Sequence, residues 1–279
     1  MSIKLAQNLI CDIISADSRQ FFKEMSIGTA KPTAKELDSA NHHFIDCKSI
    51  KEKYSAGQFE KDALNLLDIL FSKNKYAIMV GGSGMYIDAV CNGIDEIPSD
   101  ENIRAQIISE YTKNGIIPLQ EELKNKDIEH YSNMDINNPQ RLMRAIEVCR
   151  VSGKTYSFFR KQSSKQRPFN IIKIGLTADR ELIYSRINNR VDYMIEQGLI
   201  EEARELYPSR KLNALNTVGY KELFKYFDGE LNKDEAIEEI KKNTRRFAKR
   251  QLTWFKKDKD IEWLNWNVQT DIILSKLIN

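Results

Sequence analysis

An aspartate, a glycine turn and three groups of basic side chains are the residues whose types and spacing suit chemistry. Asp17 ends the apolar run Ile13-Ile14-Ser15-Ala16 and begins the string Asp17-Ser18-Arg19-Gln20. Open parallel sheets bind ligands beyond the carboxyl ends of their strands, where a carboxylate can act as a general base. Position alone favours the plainer role of a turn or helix cap. Gly81-Gly82-Ser83-Gly84 closes a second apolar run, although any tight strand-to-helix junction calls for glycine. Arg186 and Arg190 lie one helical turn apart and share a face, an arrangement suited to a pyrophosphate. Pairing with Asp192, Glu196 or solvent is the ordinary fate of such arginines. Gln140, Arg141 and Arg144 form another such group, with an amide able to read a base edge. From Lys241 to Lys257 eight Lys and Arg residues occur with no acidic residue among them. A solvated helix face and a polyanion-binding surface are equally good readings of that run.

The elements that must position these groups follow from periodicity. Strands are expected at 13–16, 76–80, 171–176 and 261–264, and the run Tyr76-Ala77-Ile78-Met79-Val80 has the unbroken apolar character of a strand covered on both faces. Phe59, Ala63, Leu66, Leu67 and Leu70 recur at helical spacing over 56–72, and a long helix after Asp179 runs to about Gln197, closed by Gly198. Strands alternating with helices imply an α/β fold with a parallel sheet flanked by helices. Residues 99–138 are polar, helical in pattern and strand-free, which predicts a small helical insertion in a discontinuous core of 1–98 and 139–279. Asn138-Pro139 supplies an N-cap and a proline at the first position of the next helix.

Composition excludes other classes. At 279 residues the chain can bury a sizeable core, and 41% hydrophobic with 30% charged residues is an ordinary globular balance. No run approaches the roughly 18 apolar residues of a membrane span, and no secretory h-region opens the chain, so a cytoplasmic location is expected. Cys11, Cys47, Cys91 and Cys149 are isolated, as reduced core thiols are. Three histidines, two of them adjacent, do not make a zinc site.

Taken in order, the strings form a pattern. Ile14-Ser15-Ala16-Asp17-Ser18-Arg19-Gln20 is followed by Ile27-Gly28-Thr29-Ala30-Lys31-Pro32, His42-His43-Phe44-Ile45-Asp46 and Val80-Gly81-Gly82-Ser83-Gly84-Met85-Tyr86. Then come Asn138-Pro139-Gln140-Arg141-Leu142-Met143-Arg144-Ala145-Ile146-Glu147-Val148, Val218-Gly219-Tyr220-Lys221 and Ala248-Lys249-Arg250-Gln251-Leu252-Thr253-Trp254. From about Ser2 to Lys257 the chain resembles the tRNA dimethylallyltransferase (isopentenyl-tRNA transferase) family. The resemblance implies a P-loop-NTPase-like, nucleotide- and ATP-binding type of fold, used by the family for a prenyl diphosphate. It implies transfer of a dimethylallyl group from dimethylallyl diphosphate to N6 of the adenosine 3′ of the tRNA anticodon, by a monomer that uses Mg2+. By that match Asp17 accepts the N6 proton, and Arg190, aided by Arg186, stabilises the departing pyrophosphate.

For tRNA the family pattern carries over to Asp17, Ser18, Arg19 and Gln20, to Ser83, to Arg104, and to Gln140, Arg141, Leu142, Met143 and Arg144. It also covers Asn216, Thr217, Val218, Gly219, Tyr220 and Lys221, and Lys249, Arg250, Gln251, Leu252, Thr253, Trp254, Phe255 and Lys256. The insertion corresponds to the family's domain that grips the anticodon stem. Ser83 stands where threonine is common and keeps the hydroxyl; Lys221 stands where arginine is frequent and keeps the charge. One departure is larger. The family opens with a strand and a G-P-T-x-x-G-K-[ST] loop, whose Ser/Thr binds magnesium, and Ser2-Ile3-Lys4-Leu5-Ala6-Gln7 matches only the helix after that loop. The expectation is a first strand and P-loop missing from this chain, a start set roughly 15 residues late, unpaired neighbouring strands, and impaired stability and activity. The alternative from a different class is a non-catalytic tRNA-binding remnant; a small-molecule kinase is disfavoured because such enzymes lack the Gln140–Arg144 and Lys249–Trp254 strings.

Overall fold

Ile13 and Ile14 are completely buried, which fits the central strand of a sheet. In the computed structural model, which describes residues 1–95, 97–160 and 165–278, they belong to β1 (Ile13–Ser15). Helix α1 (Ser2–Leu9) precedes it, and α2 (Ala34–Ser39) begins with Thr33 and Glu36 as a reciprocal capping box. β2 (His42–His43) and β3 (Ile78–Val80) flank β1 in the order β2-β1-β3, all parallel, with Ile13 opposite both His42 and Ile78. Between them α3 (Ala56–Phe71) starts where the Ser55 hydroxyl accepts the Gln58 N–H. Its Phe59, Ala63, Leu67 and Leu70 pack with Ile14, Ala16 and Phe21. α4 (Gly84–Asn92) then leads out of the glycine turn.

A second pair of parallel strands follows later in the chain, β4 (Lys173–Thr177) and β5 (Ile261–Asn265). The single parallel sheet expected from the sequence is therefore two sheets here, one of three strands and one of two. β3 and β4 both line a cavity of about 620 Å³ whose walls include Met79, Val80, Leu176, Leu252, Phe255 and Trp263.

The chain divides into two units, Met1–Asn92 with Arg167–Asn279, and Gly93–Gln166. The smaller unit is helical: α5 (Glu101–Asn114), α6 (Ile117–Lys126), α7 (Ile128–Asn133), α8 (Pro139–Ser152) and α9 (Tyr156–Phe159). The boundary expected at 138 therefore moves to 166, because α8 has its burial partners there. Leu142, Met143, Ala145, Ile146 and Cys149 share one cluster with Ile107, Leu119 and Leu123. The cap read from sequence is present, with the Asn138 side chain accepting the Arg141 N–H, and Gly153 ends α8 at φ 68°.

In the larger unit α10 (Arg180–Glu196), α11 (Leu199–Leu206), α12 (Tyr220–Phe227) and α13 (Lys233–Phe255) surround a core of Leu199, Leu215, Tyr220, Leu223 and Ile240, and α14 (Thr270–Ile278) closes the chain. Among the described residues no helix is long and apolar enough to cross a membrane.

Candidate active site

Asp17 follows the last residue of the β1 ladder, where the Ala16 N–H still donates to the Val80 carbonyl at 2.8 Å. There the backbone turns. Asp17 Oδ1 accepts the N–H groups of Arg19 (2.8 Å) and Gln20 (3.4 Å), so one carboxylate oxygen folds the turn. Among the described residues no hydrogen bond engages the other. Burial pushes the Asp17 carboxyl above the usual carboxylate range, against the opposing pull of those two N–H groups and the Arg19 charge.

The glycine turn meets this aspartate turn directly. The Ser18 N–H donates to Ser83 Oγ at 3.0 Å, and the two hydroxyls lie 3.1 Å apart. A Cβ on Gly81 would stand 2.6 Å from the backbone of Ala16, so the approach of β3 to β1 requires glycine. Gln20 ties the turn to the next motif. Its carbonyl oxygen accepts the Ser15 hydroxyl, and its amide donates to the Thr29 and Ala30 carbonyls at 3.2 Å each. Arg19 donates to the carbonyls of Asn213 (3.3 Å) and Ala214 (3.0 Å). Asp17, Ser18, Arg19, Gln20 and Ser83, expected together from sequence, are thus one hydrogen-bonded group.

A residue that the sequence did not single out organises the adjoining loop. Glu202 on α11 accepts the backbone N–H groups of Ser26 (2.9 Å), Ile27 (2.8 Å) and Gly28 (3.0 Å), and the Tyr220 hydroxyl at 2.6 Å. The strings around Gly28 and Tyr220 therefore share one carboxylate. Tyr220 is fully buried, and its hydroxyl pKa is raised by burial and by Glu202. Of the neighbouring candidates, Asn216 and Lys221 are exposed, Thr217 and Val218 half-buried and Gly219 buried.

The basic stretch on α13 has mixed roles. Gln251 Nε2 donates to the Gly82 carbonyl at 2.9 Å and Trp254 Nε1 donates to Asp88 at 3.0 Å, so these two clasp the glycine turn. Leu252 and Phe255 face the cavity. Lys241 pairs with Asp192 and Glu238, Lys242 with Glu239, and Arg245 donates to Asn188. Lys249, Arg250, Thr253 and Lys256 are exposed. On α10 both Arg186 and Arg190 are exposed, and Arg186 lies over the Trp266 ring at 4.6 Å. Among the described residues no hydrogen bond or ion pair links either arginine to the Asp17 group.

In the smaller unit Arg104 Nη2 donates to Gln140 Oε1 at 2.8 Å. Arg144 donates to the carbonyls of Ile97 and Pro98 and pairs with Glu147. Arg141 is exposed, whereas Leu142 and Met143 are core residues at 0% and 2% exposure. The apolar face of α8 consumes both side chains.

A divalent metal is the usual companion of diphosphate chemistry. Around Asp17 the protein offers one carboxylate and the Ser18 and Ser83 hydroxyls, and among the described residues no three His, Cys, Asp or Glu gather as a metal-binding group. These residues do not make a metal cage by themselves.

Comparison with known proteins places this geometry. The IPP transferase family matches residues 20–258. The tRNA dimethylallyltransferase of Christiangramia forsetii is 56% identical over 282 residues, covering 99% of this chain and 93% of that protein. That of Flavobacterium johnsoniae is 53% identical, covering 100% and 92%. Among solved structures, the tRNA isopentenylpyrophosphate transferase of Bacillus halodurans superposes with a TM-score of 0.70 at 36% identity, covering 99% of this chain and 88% of that one. A eukaryotic dimethylallyltransferase acting on tRNA has the same fold, with a TM-score of 0.80 at 23% identity, covering 98% and 73%.

Proposed function

The chain belongs to the IPP transferase family, and from that premise we propose that it moves a dimethylallyl group from dimethylallyl diphosphate to N6 of the adenosine 3′ of the anticodon in tRNA. The observation that carries the reading is the Asp17 carboxylate at the carboxyl end of β1, with one oxygen committed to its own turn and a pKa raised by burial. An exocyclic amine is a weak nucleophile. As N6 attacks C1 of the dimethylallyl group, the C1–O bond breaks with its electron pair on the pyrophosphate, and the N6 proton passes to Asp17. A buried, raised carboxylate is a stronger base than an exposed one. The target base has to leave its stack to reach such a position.

Arg186 and Arg190, exposed one turn apart on α10, are the proposed pyrophosphate ligands. Mg2+ is the proposed ion, carried on the diphosphate oxygens, since magnesium takes few protein ligands beside substrate phosphates. Ser18 and Ser83 are proposed to face the anticodon loop, with Lys249, Arg250 and Lys256 on its backbone and Gln140 and Arg141 as contacts from the helical unit. The proposal extends to a monomer in the cytoplasm.

The test incubates the protein with magnesium, dimethylallyl diphosphate and unmodified tRNA and analyses the nucleosides by mass spectrometry. N6-dimethylallyladenosine formed by wild type and lost in Asp17→Asn and Arg190→Ala supports the reading. Salt-dependent tRNA binding with no product would overturn it in favour of the non-catalytic alternative.

A further inference from the structure

Glu147 is one of the few buried carboxylates of the helical unit, at 4% exposure on α8. It faces two cations. Arg144 Nη1 lies 3.1 Å from one carboxylate oxygen and Arg104 Nη1 3.5 Å from the other, while the Asp100 N–H donates to it at 3.3 Å. Residues 140, 144 and 147 lie on one face of α8 at spacings of four and three, and Asp100 and Arg104 lie one turn apart at the start of α5. Burial lowers the Arg104 pKa, opposed by the Glu147 charge. Arg104 Nη1 is buried without a hydrogen bond of its own, so Glu147 is what offsets its charge there.

The other end of that guanidinium decides how Gln140 is presented. Arg104 Nη2 donates to Gln140 Oε1 at 2.8 Å. A guanidinium has donors only, so the amide atom facing it has to be the oxygen. Gln140 is exposed, and its –NH2 group is consequently the part turned away from Arg104. A glutamine free to rotate reads donor and acceptor together, as in the bidentate pairing with adenine. One whose carbonyl is already engaged presents a donor to an acceptor atom, such as a base carbonyl, a ring nitrogen or a phosphate oxygen.

We propose that Glu147 is a positioning residue for tRNA recognition, holding Arg104 so that Gln140 presents its amide N–H2 to an acceptor atom of the RNA. The inference rests on the reading above that Gln140 contacts tRNA. Arg144 supports the same arrangement from one turn before Glu147. Its guanidinium is spent on the Ile97 and Pro98 carbonyls and on Glu147, which fixes the segment entering α5 and so the base of Arg104.

The experiment measures binding of unmodified tRNA to the full chain by fluorescence anisotropy, for wild type, Glu147→Gln, Gln140→Ala and the double variant, at several salt concentrations and well below each melting temperature. Gln140→Ala and Glu147→Gln are each expected to weaken binding about tenfold. The loss from Glu147→Gln should vanish when Gln140 is already alanine, because one acts through the other. The salt slope should stay unchanged, since neither change removes a phosphate-neutralising cation. If Glu147→Gln fails to fold, Arg104→Lys takes its place. Lysine keeps the charge but cannot bridge Glu147 and Gln140 as a planar fork does, so it must reproduce the loss and the same non-additivity. Equal losses in the presence and absence of Gln140 overturn the proposal and leave Glu147 a purely structural ion partner. No effect of Gln140→Ala on binding overturns instead the reading that this face meets tRNA.

Discussion

Asp17→Asn separates the cost of a buried carboxylate from its use. Asparagine keeps an Oδ1 acceptor for the Arg19 and Gln20 N–H groups, so the turn survives and only the charge and the basicity are lost. Removing a positioned general base lowers the rate by about 10²–10⁴-fold. Stability moves the other way. The folded Asp17 carboxyl titrates above its ordinary value because of burial, so the folded state binds this proton more tightly than the unfolded chain does. Its contribution therefore favours folding at pH below the unfolded pKa and is lost as pH rises through the folded one. At pH 7 the ionised group destabilises the fold by about 1.4 kcal/mol for every tenfold by which burial weakens the acid. Asp17→Asn removes that penalty, raising Tm at pH 7 by roughly 2–4 °C per kcal/mol. The gain should shrink as pH falls through the raised folded pKa and vanish only below the ordinary aspartate value of 3.8, where the carboxyl is protonated in both states. Calorimetric melts from pH 4 to 8 and kcat/KM from product nucleoside provide the two readouts. Activity within threefold of wild type would remove Asp17 from the chemistry. A lower Tm at pH 7 would show that its backbone hydrogen bonds outweigh its burial, and the argument for a raised carboxyl would fail.

Three further outcomes follow from the same geometry. Gly81→Ala places a Cβ 2.6 Å from the Ala16 backbone, which cannot rotate away, so a loss of about 1–3 kcal/mol in denaturant unfolding is expected, together with loss of activity. An unchanged melt would mean that the two strand ends separate freely. Glu202→Gln replaces an acceptor of four hydrogen bonds by a group that turns an –NH2 towards some of its donors, a change expected to destabilise by about 2–4 kcal/mol. Tyr220→Phe removes only one of the four and should cost about 1 kcal/mol, so the order of the two in chemical melts checks the assignment. Lys249→Gln with Arg250→Gln should flatten the slope of log Kd against log salt for tRNA by about 1.4–1.8, whereas Lys242→Gln, already paired with Glu239, should leave it unchanged.

Local signals and long-range ones were unequally legible. The apolar runs that became β1, β3, β4 and β5 could be read from composition, but only β1 is fully buried. β3 is half-buried and ends on an exposed Val80, so the covering on both faces expected of 76–80 is not found, and β4 and β5 are half-buried to exposed. The Asn138 cap of α8 could be read because it acts on neighbouring backbone. β2 could not: it is two histidines, and only pairing with β1 makes it a strand. The domain boundary was misplaced for a related reason, since the helical pattern of α8 does not say which unit holds its apolar face. Glu202 lies 174–176 residues from the N–H groups it accepts, and no periodicity records such a meeting. The site divides in the same way. Asp17 was visible as a carboxylate at a strand end, but position alone favoured a turn residue, and in the structure it is one: Oδ1 makes that turn. The turn uses Oδ1 alone, which leaves the other oxygen to the proposed base role. The basic run divides by residue: Lys249, Arg250 and Lys256 stay exposed, while Gln251 donates to the Gly82 carbonyl and Trp254 to Asp88 on α4. Any loss of tRNA binding on changing those two therefore has to be separated from collapse of the turn. Lys249 and Arg250, exposed on the same helix, are the cleaner probes of the proposed RNA face.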